Sequence, residues 1–338
     1  MTRPQPVTMA DVAARAGVSR ALVSIVFRGV PGASAANRER VLRAAAELDY
    51  HPDERARLLG SGRSRTLGVV HGLHVPFHGE LVEALYGAVT DSPWRLRLEP
   101  RGRSRTEAAA VRALLDQRVE ALVLLGPGAG RNELQELAAR LPVVVLARAL
   151  RQVDAGIVRT DDETGARLAV EHLVGLGHRR IVHLHGGRAP GAAERRAGYR
   201  RAVRAAGLPA DLRPGGADGA SGEAAAADLL RDGVPDAVLA FNDEFAAGLL
   251  HALRAAGVAV PGAVSIVGFD DSAVAALSTV SLTTVGQDPA TLARHAVEQA
   301  IARVEGAAEV RREVVVTPRL VVRGTTAGPA DRMPVSGS

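Results

Sequence analysis

The chain has 338 residues, 47% of them hydrophobic, which suits two or three domains and supplies apolar surface for sizeable cores. It contains no cysteine, which excludes disulfides, thiolate metal sites and cysteine nucleophiles and fits a reducing cytoplasm. No apolar run reaches the roughly 18 residues of a membrane span, and the N-terminal MTRPQPVTMADVA lacks the apolar stretch of a signal peptide. Every basic side chain is arginine. Residues 1–65 hold 11 arginines against 6 acids, a net of +5, and the net charge of the whole chain is also +5. A positive segment on a neutral body suggests a head that binds a polyanion. A chance excess on a solvated surface would give the same numbers, so patterning has to decide.

Residues 8–50 read as three helices. Thr8 with Asp11 three positions on makes a capping box for the first, whose apolar stripe is Val12, Ala13 and Ala16. Gly17 suits the left-handed position that ends it. Ser19 caps the second helix, in which Val23, Val26 and Phe27 face inward. Ser34 caps the third, with Val41, Leu42, Ala45 and Leu48 as its stripe. Two helices joined at a glycine and braced by a third are the pattern of a helix-turn-helix domain, here 1–50. HPDERARLLGSGRSR (51–65) follows as a short arginine-rich helix and linker, begun by Pro52 and stopped by Gly60 and Gly62.

From residue 66 short apolar strands alternate with amphipathic helices. TLGVV (66–70) precedes a helix near 79–90, and WRLRLEP one near 106–117. VEALVLLG (119–126) precedes a helix near 131–140, and PVVVLA (142–147) closes the series. A second series has a helix at 163–176, strand 180–185, helices 193–206 and 222–232, strand 236–241, helix 243–256 and strand 264–269. The alternation implies parallel sheets covered on both faces. Two series fit two similar lobes facing a cleft, with crossings at Arg159–Asp162 and Thr283–Gln287. The first lobe takes about 66–159 and 287–310, the second about 163–283 and 311–325. The tail 326–338 has a disordered composition.

With VTMADVAARAGVS, RERVLRAAAELDYHP, GRSRTLGVV, DDETGARLAVEHLVGLGHRRI, RRAGYRRAVRAAGL, FNDEFAAGLLHALRAAGVAVP, VSIVGFDD and LTTVGQD in this order, the chain resembles the LacI-type family of bacterial transcription regulators over roughly 7–325. The resemblance implies an all-α helix-turn-helix head, a hinge helix, and an α/β two-lobed sensor like periplasmic binding proteins, built on two doubly wound parallel sheets. It also implies a homodimer on palindromic operator DNA whose affinity a small sugar-like effector alters.

In such a head the second helix enters the major groove. Arg20 is placed for a bidentate contact to guanine and Ala21 for a methyl contact. Thr8, Ser19 and Ser24 suit phosphate oxygens, although capping alone explains Thr8 and Ser19. Ile25 stands where the family commonly has a polar residue; it either packs on a thymine methyl or turns inward. Arg28 replaces a common asparagine and adds a phosphate contact. By the same resemblance, Leu59 matches a leucine wedged into a minor-groove base step, flanked by Arg55, Ala56 and Arg57; the alternative is that Leu58 and Leu59 both pack on the sensor lobe. Asp53 departs from the usual asparagine.

The cleft is expected at the C-terminal ends of the strands. The resemblance places Arg195, Asn242 and Asp270 on the ligand; the loop after the first strand offers Phe77 as a stacking wall and His78 or His74 as a contact. Asp243 and Asp271 read as helix N-caps, and Asp161 and Asp162 as caps at the crossing. Ala147 and Ala217 stand where relatives often carry an acid and an aromatic. His71, His74 and His78 match no standard metal spacing, His183 and His185 suit core or cleft-edge packing, and no cofactor is implied. GPGAG (126–130) lacks GxGxxG spacing, a Walker loop is impossible without lysine, and no GxSxG occurs, all of which argues against an enzyme. A secreted solute-binding protein would share the lobes but not need the basic head.

Overall fold

The computed structural model describes residues 7–28, 30–50 and 63–329. The chain divides into two compact units, Met1–Ser64 and Arg65–Ser338.

The first unit contains helices α1 (Met9–Ala16), α2 (Arg20–Arg28) and α3 (Ala35–Glu47). The amide of Asp11 donates to Thr8 Oγ1 at 3.4 Å and the amide of Thr8 to Asp11 Oδ2 at 2.7 Å, which completes the capping box. Gly17 ends α1 at φ 63°, and it is the backbone conformation rather than crowding that calls for glycine there, since a β-carbon would meet nothing within 4 Å. Ser19 and Ser34 cap α2 and α3 by accepting from the amides of Leu22 at 3.2 Å and Asn37 at 3.3 Å. Val12, Ala16, Val23, Val26, Val41 and Ala45 are buried together, with the Phe27 ring 5.7 Å from that of Tyr50. Arg15 Nε donates to Glu47 at 2.7 Å and ties α1 to α3. Leu42, expected in the stripe of α3, is 49% exposed. The inward positions are Val41, Ala44, Ala45 and Leu48, a three-and-four spacing that turns residue 42 outward.

The second unit holds two six-stranded sheets. In the first, β1 (Thr66–Gly72), β2 (Arg95–Arg101), β3 (Ala121–Leu125), β4 (Val143–Leu146), β5 (Gly156–Thr160) and β11 (Glu313–Val316) lie in the order β11-β5-β4-β3-β1-β2, all parallel. In the second, β6 (Ile181–His185), β7 (Asp211–Pro214), β8 (Ala237–Ala240), β9 (Ser265–Asp270), β10 (Thr283–Gly286) and β12 (Arg319–Val321) run β12-β10-β9-β8-β6-β7. Central strands such as β3 and β4 are buried throughout and uniformly apolar, as sheets covered on both faces require.

Helices α4 (Pro76–Val89) and α12 (Pro289–Val304) cover one face of the first sheet; α5 (Glu107–Asp116) and α6 (Arg131–Ala138) lie on the other. On the second sheet α7 (Asp162–Gly175) packs on α8 (Ala192–Ala205), and α9 (Gly219–Asp232) on α10 (Asp243–Ala255), with the short α11 (Ala273–Ala276) after β9.

Three expectations are corrected. Residues 311–325 do not all join the second lobe: Glu313–Val316 pairs parallel with β5 of the first sheet, and only then does the chain cross to β12. That makes a third crossing, between Val316 and Arg319. The second sheet is not wholly parallel, because β12 runs antiparallel to β10. The ordered chain also continues beyond 325. Thr325 is fully buried, its hydroxyl donating to the Ile266 carbonyl at 2.7 Å, and the Ala327 amide donates to Ser265 Oγ at 3.2 Å.

Candidate functional site

Two places gather the residues singled out above. On the first unit, Arg20 and Ala21 are exposed at the start of α2 and Ser24 is half-buried. The oxygens of Thr8 and Ser19 accept the capping amides, as capping alone would require. Ile25 lies between its two expectations. It is half-buried and outside the core cluster, with Cγ2 3.5 Å from where a β-carbon on Gly32 would stand. The Arg28 side chain and Asp53, Arg55, Ala56, Arg57, Leu58 and Leu59 lie outside the described residues.

In the second unit, the strand ends of the two sheets face one another across a cavity of about 130 Å³. Phe77, His78, Arg195, Asn242 and Asp270 all line it, with Ala147 and Ala217. The lobes approach closely: Pro190 Cγ would lie 3.3 Å from a β-carbon on Gly126, and Glu80 of α4 accepts from the Ala273 amide at 3.2 Å.

Arg195 is the centre. It projects from α8, is 6% exposed, and its guanidinium lies 3.6 Å from the Phe269 ring centroid and 4.8 Å from that of Phe241. Nε donates to Asp162 Oδ1 at 2.8 Å and Nη1 to the Phe241 carbonyl at 2.6 Å. Nη2 is 3.6 Å from Asp270 Oδ1, too far for a hydrogen bond. Protons on Nη2 therefore remain to be offered into the cavity. Asp270 Oδ1 accepts from Gln287 Nε2 at 2.8 Å, and Gln287 Oε1 accepts from the Thr160 hydroxyl. A chain of polar contacts thus runs from Arg195 through Asp270 to both early crossings.

Burial raises the pKa of Asp162, opposed by the Arg195 guanidinium. Burial likewise pushes Asp270 up to about 6 against the pull of Arg195.

His78 is 5% exposed. Its Nδ1 accepts from the Gly72 amide at 2.9 Å, which places the remaining proton on Nε2, on the side of Gly126 and Pro190. Burial, then the Arg101 charge, lowers its pKa to about 3, so it is a neutral donor.

Several expected roles change. Asn242, not Asp243, caps α10: its Oδ1 accepts from the Phe245 amide at 3.0 Å while Nδ2 donates to the Ala217 carbonyl at 3.0 Å. Asp271 caps nothing and pairs with Arg323 at 2.6 Å. Asp161 caps α7, but Asp162 serves Arg195. Phe77 belongs mainly to the first-lobe core, so only part of it reaches the cavity. His183 is a core residue, with Nδ1 2.9 Å from the Leu239 carbonyl. No cluster that could hold a metal occurs among the described residues. Arg101 and Gln287 also line the cavity; Arg101 carries no motif in the sequence, and Gln287 stands in LTTVGQD at a crossing, where the sequence assigns it no ligand role.

Asp243 is fully buried and accepts from the Ser272 amide at 2.8 Å, the Ser272 hydroxyl and the Thr284 hydroxyl. Burial, then the Asp270 charge, pushes it up to about 8. An unfolded aspartate ionises near 4. Between those values the folded state holds a proton that the unfolded state has released, so stability falls as pH rises through that window. Asp243→Asn has no such proton, and its melting temperature is expected to vary less than that of the parent between about pH 5 and 8. Parallel slopes in thermal melts would refute this.

A three-helix head with an exposed α2 and a two-lobed sheet unit closing on a polar cavity define the class of DNA-binding regulators that carry a periplasmic-binding-protein-like sensor. Residues 8–53 match the bacterial regulatory proteins of the lacI family, and residues 170–326 a periplasmic binding protein-like domain. The chain is 35% identical over 333 residues, 96% of itself and 97% of the relative, to the HTH-type transcriptional regulator GalR of Salmonella typhimurium strain SL1344. The lac repressor dimer bound to operator and the anti-inducer ONPF is 31% identical, with a TM-score of 0.85 over 96% of this chain and 100% of that one. A complex of the transcriptional regulator CelR with cellobiose is also 31% identical, with a TM-score of 0.70 over 96% and 100%. The chain belongs to the lacI family and is a ligand-responsive transcription regulator. No described helix is long and apolar enough to cross a membrane.

Proposed function

We propose that the protein is a repressor, not an enzyme, that binds a palindromic operator as a homodimer and is switched by a neutral, one-ring, sugar-like effector held in the interlobe cavity. The arrangement around Arg195 carries this reading. Its charge is balanced by Asp162 and Asp270, and Arg101 at the cavity edge lies 3.3 Å from Glu107, so an anionic ligand gains little there, whereas hydroxyls meet the Nη2 protons, the Asp270 carboxylate and the Nε2 proton of His78. At about 130 Å³ the cavity is close to the roughly 150 Å³ engineered site that takes a benzene ring, which argues for a single ring. Cellobiose in the CelR complex and the anti-inducer ONPF on the lac repressor support a carbohydrate-type ligand for this family member. The Thr160–Gln287–Asp270 contacts give ligand-driven closure a route to the crossings.

The test is to incubate the full chain with sheared genomic DNA of its source at about 0.15 M salt, near physiological ionic strength, and to sequence the bound fragments. Residues 66–338 alone serve as the control. One palindromic motif, lost with the truncation, is the expected result; enrichment that survives the truncation overturns the reading. Leu59→Ala tests the minor-groove wedge. It is expected to weaken operator binding at least tenfold more than binding to unrelated duplex, and equal losses on both would remove Leu59 from that role.

A further inference from the structure

We propose that a groove between α5 and α6 on the outer face of the first lobe is a second small-molecule site, which takes an amphipathic carboxylate: an apolar body with one anionic end. Three of the four helix pairs that share a sheet face pack on one another, α4 with α12, α7 with α8 and α9 with α10. The fourth, α5 with α6, does not close, and about 820 Å³ lies between them, within the roughly 300–1,000 Å³ of small-molecule sites.

The floor is Leu124 of β3 and Leu134 of α6, and the walls carry half-buried Val111, Leu115 and Leu137. Apolar surface of this kind drives binding of an apolar body. At one end stand Arg101 and Arg105, whose Nε atoms are buried and make no hydrogen bond. Arg101 Nε is 3.3 Å from Glu107 Oε2, but the N–H is not aligned with it. Those Nε atoms have no accessible surface, so a carboxylate entering along the groove would meet the exposed parts of the two guanidinium groups. Arg112 and Arg140 also line it and form no ion pair with a described residue.

The lining also carries four acids, and Arg105 is paired with Glu99 beyond it, so the anionic end would be held by hydrogen bonds from the arginines rather than by a net positive charge. Glu107 accepts the amides of Gly128 at 2.8 Å and Ala129 at 3.1 Å, and Glu133 accepts that of Gly130 at 2.9 Å. Asp116 and Glu136 are exposed at the rim, where water screens them. The site is separate from the interlobe cavity except that Arg101 lines both, its Nη2 donating to the Gly126 carbonyl at 2.7 Å.

Calorimetric titration of the full chain with octanoate, octanamide, octylammonium and octyl phosphate tests the proposal. Saturable binding of octanoate at one site per chain is expected, at least tenfold tighter than octanamide, with no saturable binding of octylammonium. Leu115→Glu on one wall and Leu137→Glu on the other, each checked for folding by circular dichroism, are each expected to weaken octanoate at least tenfold. Absence of saturable octanoate binding, equal affinity for octanamide, or undiminished binding in both folded variants overturns the site. Tighter binding of octyl phosphate overturns the carboxylate assignment.

Discussion

Arg195→Ala is expected to abolish the response to effector and to lower the melting temperature of the sensor. Both follow from its place between two buried carboxylates. Removing it leaves Asp162 and Asp270 unpaired, and breaking a buried pair in this way costs about 3–5 kcal/mol. It also empties the space between Phe241 and Phe269. The two effects separate in the double variant Arg195→Ala/Asp162→Asn, which removes one orphaned charge. Part of the stability should return while the effector response stays absent. A double variant that regained the response, measured as effector-dependent operator release, would show that Arg195 braces the fold without touching ligand.

Gly248→Ala is expected to destabilise the second lobe by about 3 kcal/mol, at the upper end for overpacking. A β-carbon on Gly248 would lie 2.0 Å from the Gly219 carbonyl oxygen, and one on Gly222 would lie 2.1 Å from that of Phe245. Helices α9 and α10 thus meet backbone to backbone, and no rotamer change relieves the clash. Gly87→Ala in α4 is the matched control. Its β-carbon would meet nothing within 4 Å, so helix propensity alone acts and stabilises by up to about 1 kcal/mol. Denaturant midpoints that shift alike in the two variants would contradict this account.

Both kinds of element were visible in the sequence where local chemistry decides them. The capping residues Thr8, Ser19 and Ser34 bond only within their own turn, and all three caps form as read. Central strands such as VVVL announce themselves by unbroken apolar runs. The edges do not. β7 (DLRP) and β12 (RLV) are only four and three residues long and at most partly buried, too short for an alternating or unbroken apolar run to mark them as strands. Nor can RREVVVTPRLVV show that its two strands belong to different sheets, because partner choice is a long-range matter. The cleft was legible through Arg195, Asn242 and Asp270, which sit at strand and helix ends. The division of labour in FNDEF was not. Asn242 and Asp243 are equally good caps by type, and the buried hydroxyls of Ser272 and Thr284, far along the chain, draw Asp243 away.

The third crossing has a consequence for synthesis. The second lobe draws on an almost continuous stretch, β6 to β10, and needs from further on only β12 and the segment after it, where Thr325 and Ala327 bond to β9. The first lobe begins at β1 yet waits for α12 to cover β3, β4 and β5, and for β11 to complete its edge. On the ribosome, where a chain emerges from its N-terminus, the lobe made first is therefore expected to become protease-resistant last. Nascent chains stalled with residue 288 just outside the exit tunnel should protect β6 to β10 while β1 to β5 remain open to cleavage.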